Sequence, residues 1–276
     1  MSYSIISNEE LVRLAPSIAS EHVTDKASGA YRQVRTLDVV DLMRHEGWNP
    51  VKVKNTRCRM DDRKEICKHE IRFQHVDTMQ SLIKVGEESL QAIMTNSHDC
   101  TTSFTFRLGM FRLACTNGLV VPSSVFSEVR LKHIGFAPRM IGEVTQQLAS
   151  HGQKVANNVE MMKSITLSPN EQGVFASAAR DLMFDNEEVI KKNIQFDASS
   201  LLHARRSMDT KNDLWTTFNR VQENMTKGDI RYFTGSRMEQ NFRRQRTRGV
   251  NNIDRDIKLN QALWTLANEM AKLKVA

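Results

Sequence analysis

The stretch Thr95–Val121, TNSHDCTTSFTFRLGMFRLACTNGLVV, decides how the chain is read. Phe104, Phe106 and Leu108 alternate with Thr105 and Arg107, and Phe111, Leu113 and Cys115 alternate with Arg112 and Ala114. A period of two is the pattern of strands with one face turned inward. Asn117-Gly118 is the dipeptide that accepts positive φ at both centres of a type I′ turn, so a tight turn is predicted over Thr116–Leu119. The same stretch opens with chemically capable residues, Ser97, His98, Asp99 and Thr101 to Ser103. An imidazole beside a carboxylate can share a divalent ion, which keeps a metal-assisted hydrolase at His98 and Asp99 among the admissible functions. A metal needs two or three more ligands, and His45, His69 and His75 form no H-x-x-x-H or C-x-x-C spacing with the pair. The expected role is therefore an Asx turn, and no catalytic, metal or cofactor residue is assigned.

Working outward, VKVKN and the run EICKHEIRFQHV extend the sheet. Val51 and Val53 alternate with Lys52 and Lys54, and the phase then slips to Arg57 and Arg59, which predicts a β-bulge near Asn55 and Thr56. Cys67, His69, Ile71 and Phe73 occupy one face, with Lys68, Glu70, Arg72 and Gln74 on what reads as a charged outer face. LVV and FSEVRLKHIG read as further strands, and GAYRQVRT carries a strand signal at Tyr31 and Val34. A helix is predicted from Leu37 to Glu46, with Thr36 as N-cap and Gly47 as its stop. Leu11, Leu14 and Ile18 make the start helical, interrupted by Pro16.

After Gly135 the period changes. Met140, Val144, Leu148, Val155, Val159, Met162 and Ile165 recur at helical spacing. Ser168-Pro169-Asn170-Glu171 is a capping box that opens a helix burying Phe175, Ala179 and Leu182. DNEEVIKKNIQFDASS reads as a loop. NDLWTTFNRVQENMTKG puts Leu214, Phe218, Val221 and Met225 on one stripe and ends at Gly228, and the last helix is expected to pack through Leu259, Leu263, Leu266, Met270 and Leu273. The expected fold class is α+β: an N-terminal antiparallel β-sheet with a crossing helix over residues 1–136, then a mainly helical half over 137–276 with an arginine-rich loop at about 229–252.

Charge points to a partner. From Ser200 to Ala276 there are fifteen Lys and Arg against eight Asp and Glu, while the first 199 residues balance to zero, so the whole net charge of +7 sits in the last quarter. Such a bias fits a polyanion. Within it, Arg231 to Arg248 holds six arginines, the aromatics Tyr232, Phe233 and Phe242, and the single acid Glu239. Guanidinium groups crowded this way repel one another until phosphates neutralise them. The candidate nucleic-acid contacts are thus Lys52, Lys54, Arg57, Arg59 and Arg72 on a basic sheet face, and Arg231, Arg237, Arg243, Arg244, Arg246 and Arg248 on a flexible clamp, with Tyr232 and Phe242 as stacking rings. No phosphate-cradling glycine motif or G-x-S-x-G is present, so ATP-driven and dinucleotide chemistries lack their usual signatures. Four cysteines, Cys58, Cys67, Cys100 and Cys115, are too few for a disulfide scaffold and read as reduced residues of a cytoplasmic chain, with no run approaching a membrane span.

At NSHDCTTSF, FRLACTNGLVV, NDLWTTFNRVQENMTKG and RGVNNIDRDIKLNQALW the chain resembles the YfjQ/YafZ-type family of phage, plasmid and prophage proteins, a domain of unknown function (DUF932). The resemblance covers nearly the whole length and implies a mobile-element protein, without supplying an activity. It also implies glycine at position 100, where this chain has Cys100, an argument against an essential positive φ there. The order of strand, helix, Gly47-Trp48 and basic hairpin is similar to phage single-strand annealing proteins of the Red-beta and ERF types, which work as rings or filaments. That likeness implies a non-enzymatic, homo-oligomeric protein with single-stranded DNA as its partner. A host-interference protein that contacts a host protein target is the alternative.

Overall fold

The computed structural model describes residues 4–22, 24, 33–56, 64–76, 88–112, 118–120, 129–131 and 139–275. The fold class is α+β as read from the sequence, and the chain forms two compact units, Met1–Val155 and Ala156–Ala276.

The first unit is built on β1 (Trp48–Asn55), β2 (His69–His75), β3 (Glu88–Asn96), β4 (Phe104–Arg112) and β5 (Gly118–Val120), antiparallel in that order, with β6 (Val129–Leu131) also on β4. Residues opposite one another share a face. One row runs Val53, Ile71, Met94 and Phe106, and the next runs Phe73, Ala92 and Leu108. Apart from half-buried Val53 these side chains are buried, and Phe104 meets Phe106 edge-on at 5.3 Å. Each of the fully buried larger side chains, Ile71, Phe73, Met94, Phe106 and Leu108, contributes roughly 1.5–3 kcal/mol relative to exposure. Helices α1 (Asn8–Leu14) and α2 (Thr36–His45) pack on β1, and a 3-10 turn, Pro16–Ala19, joins α1 to the layer.

Several expectations are corrected here. The register slip lies between Pro50 and Lys52, not near Asn55, so Lys52 stands opposite Arg72 and Lys54 opposite Glu70. Arg35, not Thr36, occupies the N-cap of α2, because the Thr36 hydroxyl is committed to His69. Gly47 does stop that helix, at φ 80°. Gln33 to Arg35 are not strand and Thr36 opens α2, while residues 29–32 of GAYRQVRT lie outside the described residues, as do Arg57, Cys58, Arg59, Cys115 and Asn117. The stretch read as two strands is one, β4, and Gly118 begins β5 opposite Phe111 instead of centring a turn.

The largest correction concerns β2. Glu70, Arg72 and Gln74 are 2%, 3% and 0% exposed, so the face expected to be outer is interior. Arg72 Nε donates to Glu70 Oε1 at 2.8 Å. Burial pushes the Glu70 carboxyl up, but Arg72, Lys54 and Lys52 more than reverse this and hold it below its ordinary range. Next to the pair, Arg107 Nη1 donates to the hydroxyls of Thr95 and Thr105 at 3.1 and 2.9 Å.

The second unit centres on α6 (Leu214–Lys227), which is buried nearly all round. Helix α3 (Arg139–Ser164) holds the unit boundary within its length. Its stripe from Val144 to Met162 is buried as read, and α4 (Pro169–Asp181) opens on the expected capping box. Leu182 caps α4 and is 43% exposed, so it is not a core residue. Trp215 stacks on Phe218 at 5.3 Å, and Phe218 meets Trp264 of α7 (Ile253–Val275) edge-on at 6.5 Å. The buried stripe of α7 is Ile253, Ile257, Asn260, Leu263, Trp264, Ala267 and Ala271; of the seam read from sequence Leu263 is buried, Leu259, Leu266 and Met270 are half-buried, and Leu273 is 80% exposed. Asn260 belongs to the stripe because Gln222 of α6 donates to its Oδ1 at 2.6 Å.

Glu70→Gln is expected to destabilise the chain by about 3 kcal/mol at neutral pH, because it strips the buried Arg72 charge of its carboxylate. Urea unfolding of the single variant and of Glu70→Gln/Arg72→Met measures this. The double variant should recover much of the loss, and a single variant as stable as the parent would contradict an interior ion pair.

Candidate nucleic-acid interface

Helix α6 ends at Gly228, where the sequence places its stop. The φ of 69° suits glycine, and a Cβ there would lie 2.6–2.8 Å from the backbone of Thr247, Arg248 and Gly249. The chain crosses itself at this point. Asp229 N donates to Thr247 O at 2.8 Å, Thr247 N to Ile230 O at 2.9 Å, and Val250 N to Thr226 O at 2.8 Å. This crossing starts a ladder, β7 (Arg231–Thr234) against β8 (Arg243–Arg246). The arginine-rich segment is therefore an ordered hairpin, which corrects the reading of it as a flexible loop.

A second anchor comes from the segment expected to be a loop. Asp185 caps α5 (Asn186–Lys192), whose Glu187 N it binds at 2.8 Å, and Asn193 ends the helix in the left-handed conformation. Gln195 then exchanges two backbone hydrogen bonds with Phe233, at 2.8 and 3.0 Å, and Gly235 N donates to Lys192 O at 2.9 Å. Asp197 caps the 3-10 turn Ala198–Leu202. At the end of that turn, Asn224 of α6 donates to the carbonyls of Leu201 and His203 at 2.9 and 2.8 Å. Arg206 pairs with buried Glu223 at 3.0 Å. Burial raises the Glu223 carboxyl, and Arg206 with Lys227 brings it below its ordinary range.

The register sorts the hairpin side chains. Arg231 stands opposite Arg246 and Phe233 opposite Arg244, which puts three guanidinium groups and a ring on one face. Tyr232, Thr234, Arg243 and Gln245 share the other, where the half-buried Tyr232 ring lies 5.5 Å from Phe184 and 6.5 Å from Phe196. Tyr232 is thus held by an aromatic cluster with Phe184 and Phe196, whereas Phe242 stacks on Phe233 at 5.0 Å and 16°, with the Arg237 guanidinium 5.0 Å above the Phe242 ring. All six arginines from Arg231 to Arg248 are exposed. Among the described residues only Arg246 of these is bonded to a carboxylate, that of Asp229, and this bond holds Asp229 below the ordinary carboxylate range. Phe233 is missing from the residues proposed from sequence, although its place two positions after Arg231 puts it on the same strand face.

The sheet residues proposed alongside them lie in the other unit. Lys52 and Lys54 are half-buried near Glu70, and Arg72 is interior, so Arg72 is withdrawn as a surface contact.

The chain matches the family model DUF932, "Domain of unknown function (DUF932)", over residues 24–264. The chain belongs to the DUF932 family. It is 34% identical over 267 residues to UPF0380 protein YfjQ of Escherichia coli (strain K12), covering 96% of this chain and 91% of that protein, and UPF0380 protein YafZ of the same organism matches to the same extent. No solved structure matches.

In this DUF932 chain the Asn96–Cys100 segment is a structural turn. Thr101 donates to Asp99 Oδ1 from its amide at 3.0 Å and from its hydroxyl at 2.6 Å, the expected Asx turn. Cys100 has φ 60°, so the left-handed conformation persists without glycine, contrary to the inference drawn from that substitution. His98 is buried, 5.7 Å from the ring of His69, and Gln33 Nε2 lies 3.4 Å from its Nδ1. Among the described residues no group of three His, Cys, Asp or Glu is placed to hold a metal ion. None of the described helices is long and apolar enough to cross a membrane.

His69 is the hub of this interior. Asn96 Nδ2 donates to Thr36 Oγ1 at 3.0 Å, which leaves the Thr36 hydroxyl proton for His69 Nε2 at 2.9 Å. The network so assigns the His69 proton to Nδ1, 2.8 Å from Ser17 Oγ. Burial first, and His98 second, depress its pKa from 6.5 to about 3. The unfolded chain therefore binds a proton between pH 6.5 and about 3 that the folded chain refuses. Stability is expected to be flat with respect to this group above pH 6.5 and to fall by about 1.4 kcal/mol per pH unit below it. Urea unfolding against pH should show that slope in the parent and a slope shallower by one proton in His69→Gln; equal slopes would reject the assignment. Gly228→Ala is expected to cost about 2–3 kcal/mol from strain at this φ and ψ, and more from contact with the crossing backbone. Hydrogen exchange should show the amides of Asp229 and Thr247 losing protection first, and unchanged protection would mean that the crossing does not need glycine.

Proposed function

We propose that this chain binds nucleic acid through the hairpin face that carries Arg231, Arg244 and Arg246, with the Phe233–Phe242 stack beside them to receive a base. The observation that carries the reading is the set of exposed guanidinium groups fixed side by side on one ladder, with one carboxylate among them. Guanidinium forks match phosphate oxygens, and neutralisation releases counterions from the polyanion. A ring pair at the same face holds bases irrespective of sequence, which fits a binder of single strands. A finer form of the proposal is ATP-independent strand annealing by a self-associating protein, in which neutralised strands approach while their bases stay free to pair.

Fluorescence anisotropy of labelled single-stranded DNA across a salt series tests the reading. Four phosphate contacts, from Arg231, Arg237, Arg244 and Arg246, predict a log–log slope of roughly −3. Arg231→Ala/Arg244→Ala should make it shallower by about 1.4 and weaken binding, and Phe233→Ala should weaken binding with little change of slope. An absence of binding at low salt, or binding indifferent to these substitutions, rejects the hairpin as the interface. Complementary-strand annealing rates, measured with and without the protein, decide the finer form.

A further inference from the structure

On its other side the hairpin walls a half-open groove of about 940 Å³ within the second unit, closed by the end of α4, α5 and the first turns of α7. That volume lies within the range of small-molecule sites, roughly 300–1,000 Å³. The lining is divided by chemistry. Phe184, Tyr232, Leu259 and Ala262 give it an apolar and aromatic floor, while Arg248, Arg255 and Lys258 stand on its rim. Those three cations are exposed and, among the described residues, bonded to no carboxylate. Two further cations are partly neutralised, Arg246 by Asp229 and Lys192 by Glu188 at 2.5 Å. Glu188 and Asp254 also line the groove, so its cations exceed its acids by five to two.

The floor also explains an anomaly of α7. Leu259 belongs to the leucine spacing that reads as a helix–helix seam, yet it is half-exposed and faces this groove instead of a partner helix. An occupant must therefore offer a flat or apolar body to the floor and negative charge to the rim.

We infer that the groove is a nucleotide pocket, with the base over Tyr232, Phe184 and Leu259 and the phosphate between Arg248, Arg255 and Lys258. This deepens the nucleic-acid reading and rests on it: a strand running along the arginine face reaches the groove at Arg246, which belongs to both surfaces, and can turn one base in. Only an unpaired base can enter, so the groove makes the protein select single strands over duplex.

The test uses the full chain with a short oligothymidylate, an abasic chain with the same number of phosphates, and AMP. The parent should bind the oligothymidylate about tenfold more tightly than the abasic chain. Leu259→Glu, at a half-exposed helix position, should abolish that difference, while Arg255→Ala/Lys258→Ala should weaken both chains. Circular dichroism verifies that each variant is folded. Competition by AMP for the base-dependent part identifies a pocket open to free nucleotides; no competition, with the tenfold difference intact, identifies one that serves a strand alone. Equal binding of the two chains by the parent, or a difference that survives Leu259→Glu, overturns the inference while leaving the hairpin reading standing. Polyglutamate binding that Leu259→Glu removes, with oligothymidylate binding untouched, reassigns the groove to an acidic protein and also overturns it. If neither chain binds, the hairpin reading fails, and calorimetry with AMP decides the groove alone: no heat sinks it.

Discussion

The second unit depends on the backbone crossing at Gly228. Like charges placed directly opposite on neighbouring strands repel, and the hairpin sets Arg231 against Arg246 with Arg244 next along the same strand face. Left to their side chains, these strands would separate. They are held by main-chain bonds: the ladder itself, the crossing of residues 247–250 over the end of α6, and the two bonds that Gln195 makes to Phe233. Glycine at 228 lets the two backbones touch. Asp229 takes up one guanidinium at the base of the hairpin and leaves the rest. Stability and binding thus oppose each other here, and the fold supplies from elsewhere the free energy that keeps the charges together.

How much of this could be read beforehand follows from what each pattern encodes. The helix stop at Gly228, the capping box at Ser168 and the stripe of α6 are local signals, and each holds because it concerns residues within one or two turns. The inward residues of β2 and β4 were legible for the same reason, from their alternation. The hairpin was not. Its strands are four residues each, rich in arginine, and stabilised by Gln195, which lies far from Phe233 in sequence, and by the Val250–Thr226 bond that closes the hairpin at its base. The α5 segment failed likewise, since its helix is short and has no buried residue, so no apolar period announces it. In α7 the leucines form the conspicuous spacing, but only Leu263 of them is buried, and the rest of the interior is lined by Ile257, Asn260, Trp264 and Ala267.

The candidate sheet residues went astray for a more general reason. Alternation along β2 separates two faces and says nothing about which of them is wet. Polar identity suggested solvent for Glu70, Arg72 and Gln74, whereas the ion pair and the neighbouring Thr95 and Thr105 hydroxyls let that face be interior. His69 shows the same logic on the opposite face. It is polar, fully buried and neutral, because Thr36 and Ser17 complete both ring nitrogens. The His98-Asp99 segment then closes the end of this interior, and its hydroxyls and carboxylate are spent on the turn.

Once those groups are accounted for, the charge distribution and the geometry converge. The first 199 residues carry no net charge, and Lys52, Lys54 and Arg72 of the sheet lie near Glu70. The excess falls where carboxylates are scarce, on a hairpin whose two faces differ in kind. One face sets guanidinium groups beside a stacked ring pair, and the other backs an aromatic floor rimmed by Arg248, Arg255 and Lys258. Arg255 and Lys258 are separated from the arginine-rich segment in sequence and are brought to it by the turn that starts α7. A ligand that satisfies both faces needs repeated negative charge for the ladder and a flat apolar body for the floor, and a polynucleotide carries both in every residue.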